Sequence, residues 1–356
     1  MNFLFFFVLL FSFLLRLPLL SDSFWMDEAA QALESMRLFQ DQLKIAADFQ
    51  PPLFHYWVHF FTFISRQEWW LRIASLLPAL GTMYLVLTLE KNKKTQPIYM
   101  LAGLLLSISA FHVFFSQELR QYMIAAWWGA LSWWLLLRWE KKITTKQILM
   151  MGLVNVAGLY SMYVYLFHWI AQAIYVLIHK SHLRKQYFIS SLVGIMLFLP
   201  WIPAFLEQLR IGTTLQHSLP GWAEVVSAPQ WKALPLVLLK FVGGGKAVSF
   251  TFFDALYYGI PLGILGVLCV KLYKKVPIYL WYWSVVSVVL AWLVSFIVPV
   301  ISPKRVMFAL PAMFLIISHL IFSLKDVRVR NALLGVFLSI QILGLIFYWT
   351  TPSMQR

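Results

Sequence analysis

Two adjacent carboxylates, Asp27 and Glu28, stand in the stretch FWMDEAAQALESMRLF, residues 24–39, directly after the first long apolar run. The chain has only 14 acidic residues in 356, so a side-by-side pair at an apolar boundary calls for a reason. One reason is local: a carboxylate in a first helical turn complements the helix dipole and contributes roughly 0.3–1 kcal/mol. That accounts for one acid. The other reason is chemical: beside Trp25 and Met26 a partly desolvated carboxylate becomes a stronger base, suited to general-base catalysis. Both readings stand at this point.

A second constellation is FHVFFSQELRQYMIAAWW, residues 111–128. Glu118 and Arg120 fall in a very short turn between two apolar segments. A solvated surface pair is the plain reading, but a turn this tight holds both charges at the rim of a helix bundle, where ionisable groups tend to be functional. A third is ISPKRVMFALP, residues 301–311, where Lys304 and Arg305 open an apolar segment. Adjacent cations there suit an anion such as phosphate. Arg16, near the end of the first apolar run, is expected to pair with a carboxylate or phosphate. The histidines say less. His55 and His59 lie four apart on an amphipathic stretch, without the intervening acid of a metalloprotease helix, and are expected to be packing groups. His112 and His168 add no convincing ligand spacing.

The elements that must position these residues are membrane helices. Hydrophobic residues make up 61% of the chain and charged ones only 12%; a soluble domain would carry about twice that charge. The net charge of +15 does not indicate nucleic acid, because the basic residues recur in short clusters between apolar runs. The single cysteine, Cys269, excludes an intrachain disulfide framework. The apolar runs are 1–21, 71–89, 96–115, 122–139, 147–178, 187–206, 252–270, 277–300, 306–324 and 331–350. About 20 residues span the hydrocarbon core, so the run 147–178 fits two short helices or a re-entrant pair. If it crosses twice, the clusters Lys91/Lys93/Lys94, Lys141/Lys142/Lys146, Lys180/Arg184/Lys185, Lys271/Lys274/Lys275 and Lys325/Arg328/Arg330 all face the cytoplasm.

The expected fold is therefore all-α and polytopic, with about eleven transmembrane helices, N-terminus inside and C-terminus outside. Only Glu90, Glu140 and Asp326 then lie inside, and the other eleven acids crowd the outer side. The first outer loop, 22–70, contains two amphipathic stretches, 27–39 and 52–65, expected as interfacial helices. A second outer loop is expected over 207–251, punctuated by Pro220, Pro229, Pro235 and Gly243-Gly244-Gly245-Lys246, a turn that lacks the full phosphate-loop pattern. This divides the chain into a catalytic membrane module, 1–206, the loop 207–251, and a C-terminal membrane module, 252–356.

Four stretches, in this order, resemble the GT-C superfamily of membrane glycosyltransferases, in particular bacterial relatives of dolichyl-phosphate-mannose protein mannosyltransferase and of the lipid A aminoarabinose transferase. FWMDEAA resembles the family's Asp-Glu motif, QPPLFHYWVHFF (50–61) its Pro-Pro-Leu helix, LRIASLLPAL (71–80) its Arg-x-x-Ser segment, and SISAFHVFFSQELRQYMIAAW (107–127) its Ser-Gln-Glu-x-Arg-x-Tyr turn. The likeness covers roughly residues 1–180. PKRVMFALPAM resembles a late Pro-Arg-Tyr segment, with Val306 where the family has an aromatic residue.

The resemblance implies a polyprenyl-phosphate-linked sugar donor and transfer on the outer face of a bacterial cytoplasmic membrane to a hydroxyl of a lipid, glycan or protein. It implies Asp27 as general base in an inverting displacement, with Lys304 and Arg305 stabilising the leaving phosphate. Glu118 joins Asp27 as a catalytic residue or helps hold a divalent cation. Glu28, Arg120, Tyr122 and Arg16 complete the expected substrate-contacting set, with Glu28 orienting a partner or supporting its helix. Two other classes remain: a transporter or lipid flippase, which would place charges near the membrane midplane, and a polysaccharide polymerase.

Overall fold

The computed structural model describes residues 3–44, 50–89, 92, 94–140, 142–218, 230–244, 251–298 and 300–351. Glu90, Lys91, Lys93, Lys141, Pro220, Pro229, Gly245 and Lys246 lie outside the described residues. Among the described residues the secondary structure is helical throughout, as the apolar runs imply.

Sixteen helices organise the site: α1 (Phe3–Leu14), α2 (Met26–Ser35), α3 (Leu53–Thr62), α4 (Glu68–Leu87), α5 (Gln96–Ile108), α6 (Ala110–Ser116), α7 (Tyr122–Leu136), α8 (Thr145–Ser161), α9 (Tyr165–His179), α10 (Arg184–Phe198), α11 (Ile202–Ser218), α12 (Gln230–Gly243), α13 (Phe252–Leu272), α14 (Ile278–Val294), α15 (Leu310–Phe322) and α16 (Val327–Thr350). A 3₁₀ turn, Lys304–Ala309, leads into α15. Among the described residues five helical stretches are long and apolar enough to cross a membrane, or six if the bent pair α5–α6 counts as one. The other expected spans are shorter: α1, α7, α8, α9 and α14 have 12, 15, 17, 15 and 17 residues. The chain is an integral membrane protein.

The run 147–178 is indeed two helices, α8 and α9. They part at Met162, whose backbone is extended (φ −162°, ψ 126°). The Tyr165 ring folds back so closely that a Cβ on Gly158 would lie 2.3 Å from it, so only glycine fits there. The 22–70 loop contains the two expected amphipathic helices, α2 and α3, with a short 3₁₀ turn between them.

Two expectations need correction. The first apolar run is not helical to its end. α1 stops at Leu14, and the following backbone is irregular, with Leu19 at φ +65°. Pro18 lacks an N–H and disfavours helix in the residue before it. Nor is 207–251 simply a loop. α11 runs on to Ser218, and α12 occupies Gln230–Gly243. Ala233, Val237 and Phe241 recur every four residues in α12 and are all buried. The prolines and glycines masked that stripe. Gly244, at φ +76°, ends α12 in the left-handed conformation that glycine adopts without strain.

One large apolar core draws on both halves of the chain, from Phe5 and Val8 in α1 to Phe337 in α16. A smaller core around Phe54, Val58, Leu71, Ala74, Leu119 and Ile124 lies under the α2–α3 pair. The two membrane modules thus pack as one body, and the residues singled out in the sequence gather where the smaller core ends.

Candidate active site

The first turn of α2 separates its two acids. Asp27 is half-buried, whereas Glu28 is only 2% exposed. Successive residues on a helix point about 100° apart, so one carboxylate turns inward and the other to the rim. Glu28 is fully engaged. Its Oε1 accepts hydrogen bonds from Arg72 Nε at 2.9 Å and from the backbone N–H of Leu119 at 2.8 Å. Its Oε2 accepts from Arg72 Nη2 at 2.7 Å and from the backbone N–H of Trp25 at 3.5 Å. Glu28 thus joins α2, α4 and the turn 117–121, in keeping with the helix-supporting reading.

Arg72 is the residue that sequence reasoning left without a role. Besides Glu28 it donates to the carbonyls of Leu20 at 2.8 Å, Asp22, and Ser23 at 3.4 Å. These carbonyls are available because the backbone after α1 is unwound. The available signal was an arginine one turn into an apolar span, a costly placement unless it has dedicated partners.

The turn 117–121 is braced on every side. Gln117 Nε2 donates to the carbonyls of Arg16, at 2.9 Å, and Pro18, while its Oε1 accepts from the Tyr348 hydroxyl at 2.9 Å. Ser75 Oγ donates to the carbonyl of Arg120 at 3.3 Å. Arg120 Nη1 donates to the carbonyl of Asp27 at 3.3 Å. With its side-chain amide turned oxygen-inward, Gln50 accepts from the same guanidinium at 3.0 Å and 2.7 Å.

Within this frame Glu118 stands apart. It is 4% exposed, and its Oε2 has no hydrogen-bond partner among the described residues. Burial pushes its carboxyl up to about 8. Lys304 and Arg120 pull it down, and Glu28 and Asp27 push it further up. At neutral pH Glu118 is mostly protonated, so it can donate a hydrogen bond. Lys304 reaches this point from the 3₁₀ turn, its Nζ 5.5 Å from the centre of the Tyr122 ring. Tyr122 thus offers a ring face to the cation. Arg305 is turned differently, with Nη1 donating to the carbonyl of Val300 at 3.3 Å.

The structure thus brings together Asp27, Glu118, Arg120, Tyr122 and Lys304 from α2, the turn 117–121, α7 and the 3₁₀ turn. Arg16 is not part of this group. It is completely buried and donates to the Ser12 carbonyl and hydroxyl, the carbonyls of Leu106 and Ser107, and shares a 2.7 Å contact with His112 Nδ1. Its expected carboxylate or phosphate partner is replaced by carbonyls, because the unwound backbone and the α5–α6 bend supply them locally. His55 contacts Gln31 at 3.0 Å and His59 contacts the Ser35 carbonyl at 2.8 Å, joining α2 to α3.

A divalent cation fits these residues poorly. Among the described residues no group of three His, Cys, Asp or Glu side chains could hold one. Glu28 is consumed by Arg72, and Lys304 competes for the space beside Glu118. What the site offers is a half-exposed carboxylate able to accept a proton, a neutral carboxyl able to donate one hydrogen bond, and two cations suited to an anion.

The fold, and part of the sequence, resemble known proteins. Archaeal oligosaccharyltransferase AglB from Archaeoglobus fulgidus, solved with an inhibitory peptide and a dolichol-phosphate, superposes with a TM-score of 0.58 over 99% of this chain and 56% of its own, at 11% identity. The same organism's oligosaccharyltransferase tethered to an acceptor peptide gives 0.56, with 99% and 55% coverage and 12% identity. Residues 49–203 match the family model described as dolichyl-phosphate-mannose-protein mannosyltransferase. The chain spans a little over half the length of those structural neighbours. No curated protein sequence matches it.

Proposed function

We propose that this protein is a GT-C glycosyltransferase, which transfers a sugar from a polyprenyl-phosphate-linked donor to a hydroxyl of a lipid, glycan or protein on the outer face of a bacterial cytoplasmic membrane. The reading rests on one observation above all: a half-exposed carboxylate, a buried carboxyl with one oxygen unpartnered among the described residues and a lysine converge from three distant segments. In this reading the apolar runs cross the membrane eleven times, and this cluster lies at the outer boundary, where a lipid-tethered sugar phosphate would reach it.

Asp27 accepts the acceptor hydroxyl's proton as that oxygen attacks the anomeric carbon. The bond from that carbon to the phosphate oxygen breaks, and polyprenyl phosphate leaves with the electron pair. A single displacement inverts the anomeric centre. Lys304 faces the charge growing on the phosphate, and protonated Glu118 donates a hydrogen bond to it. Arg120 stays with Gln50 and the Asp27 carbonyl, holding the base in register. Arg305 lies beside Lys304 and adds to the positive field.

Asp27→Asn keeps the size of the side chain and removes the base. General-base catalysis is worth roughly 10²–10⁴-fold. Mass spectrometry of envelope lipids and glycans should show a modification that depends on the wild-type protein and vanishes with Asp27→Asn, while purified Asp27→Asn still binds undecaprenyl phosphate. A product that persists with Asp27→Asn at wild-type level would remove Asp27 from the chemistry. The topology has its own check. In a Cys269-free background, a cysteine at position 184 should resist labelling from outside; ready labelling would overturn the double crossing of 147–178.

A further inference from the structure

The 3₁₀ turn that carries Lys304 is poorly supported by its own backbone. Val306, inside it, has φ −108° and ψ 23°, outside the helical region. A junction of this kind leaves backbone groups without intrahelical partners. α14 and the residue that caps its C-terminus, Ser295, supply them on both sides of Lys304. Before it, the backbone N–H of Ile301 donates to Ser295 Oγ at 2.9 Å, and that hydroxyl donates to the Ala291 carbonyl at 2.7 Å. After it, Trp283 Nε1 donates to the Phe308 carbonyl at 2.7 Å.

Trp283 lies in a π-helical stretch of α14, Tyr282–Val286. Such stretches re-aim the side chains around them and recur at functional sites. The indole is fully buried and stacks on Trp133 with centroids 6.0 Å apart and planes at 18°. Phe308 is itself packed against the His168 and Tyr165 rings, at 5.2 and 6.1 Å. The clamp is thus rigid on both sides.

We propose that Trp283 and Ser295 are positioning residues: by gripping Phe308 and Ile301 from α14, they fix Lys304 over Tyr122 and beside Glu118, where the leaving phosphate binds. The inference rests on the proposed function, which assigns the phosphate to Lys304. Neither residue touches the reacting atoms. Trp283 would have passed in the sequence as one more aromatic residue of an apolar span.

The test is binding of undecaprenyl phosphate to the full chain in nanodiscs, measured from pH 6.5 to 9.5. The groups that face Glu118 are Lys304 from the 3₁₀ turn, Arg120 and Tyr122 from its own turn and α7, Asp27 and Glu28 from α2, and Tyr348 from α16. Of these, the clamp moves only Lys304. Lys304→Gln should weaken binding roughly 10–100-fold, the value of a charge-assisted contact. It should also shift the alkaline loss of binding to higher pH, because a cation beside Glu118 favours its ionised form. Trp283→Phe, which keeps a ring and loses the N–H, and Ser295→Ala should shift that loss the same way and weaken binding about 3–10-fold, the scale of a slight misplacement. Ser295→Thr keeps the hydroxyl and should restore both readings towards the parent.

Thermal unfolding of each variant is recorded alongside. If Trp283→Phe does not fold, Ser295→Ala against Ser295→Thr decides. If Lys304→Gln weakens binding but Trp283→Phe and Ser295→Ala titrate like the parent, or only unfold earlier, the clamp is overturned and the phosphate reading survives. If Lys304→Gln itself binds like the parent, the phosphate reading falls and the clamp with it.

Discussion

Glu28 and Glu118 occupy the same corner of the molecule at nearly the same burial, 2% and 4% exposed, yet their surroundings are opposite. Glu28 meets a bidentate arginine and two backbone N–H groups. Glu118 has an oxygen with no partner among the described residues and a carboxyl raised to about 8. Burying an ionised carboxylate is tolerable only when it is paired and hydrogen-bonded. Glu28 satisfies that condition within the protein, and it therefore serves the architecture. Glu118 does not, and the fold holds it by keeping it largely protonated.

The comparison predicts its largest effect at Arg72. Removing one partner of a buried ion pair strands the other, at a cost of about 3–5 kcal/mol. Arg72→Ala should therefore sharply lower the thermal unfolding temperature of the purified protein. Adding Glu28→Gln to it should recover part of the loss. If Arg72→Ala unfolds like the parent, the contrast between the two carboxylates collapses.

The next effect concerns pH at Glu118. Its folded value, about 8, lies above the ordinary 4.5. Between these values the folded state binds more protons than the unfolded one, so Glu118 makes stability fall as pH rises from about 4.5 to 8 and contributes no further change above that. Glu118→Gln should flatten this part of the stability profile. Binding of undecaprenyl phosphate should weaken about tenfold by pH 9 in the parent, since one carboxyl in about ten is then protonated. Phosphate's own second ionisation, near 6, is complete by then. Glu118→Gln should abolish that alkaline fall. If the fall persists in Glu118→Gln, another group carries it.

The smallest effect lies at Tyr122, whose ring faces Lys304. A cation over a ring is worth about 0.5–2 kcal/mol, depending on exposure. Tyr122→Leu should weaken undecaprenyl phosphate binding by about 2–5-fold, and Tyr122→Phe by less. Equal losses would show that the hydroxyl, and not the ring face, is what matters.

Much of the site was legible in the chain. Asp27, Glu118, Arg120 and Lys304 stood out because charge is rare in a chain this apolar and each sat at the edge of an apolar run. The paired helices α8 and α9 followed from the length of their run. Arg16 stood out by the same rule and misled, because the carbonyls that satisfy it come from an unwound backbone and a helix bend that no periodicity announces. α12 was hidden because proline and glycine read as loop punctuation while Ala233, Val237 and Phe241 kept a buried face.

Composition alone determined that the chain lives in a membrane, since backbone polar groups in hydrocarbon must be satisfied internally and helices do that within one segment. The rare charges were equally local facts, fixed by what each apolar run excludes. Which of the two adjacent acids turns inward was not local. A 100° step around α2 separates them, but only the arrival of Arg72 from α4 and the Leu119 N–H from a distant turn made Glu28 the structural one and left Asp27 at the rim. The surroundings of Glu118 and Lys304 were decided the same way. A carboxyl's proton and a lysine's position depend on the dielectric and the neighbours around them, and those neighbours come from α2, α14 and α16, brought together only by the packing of the whole bundle.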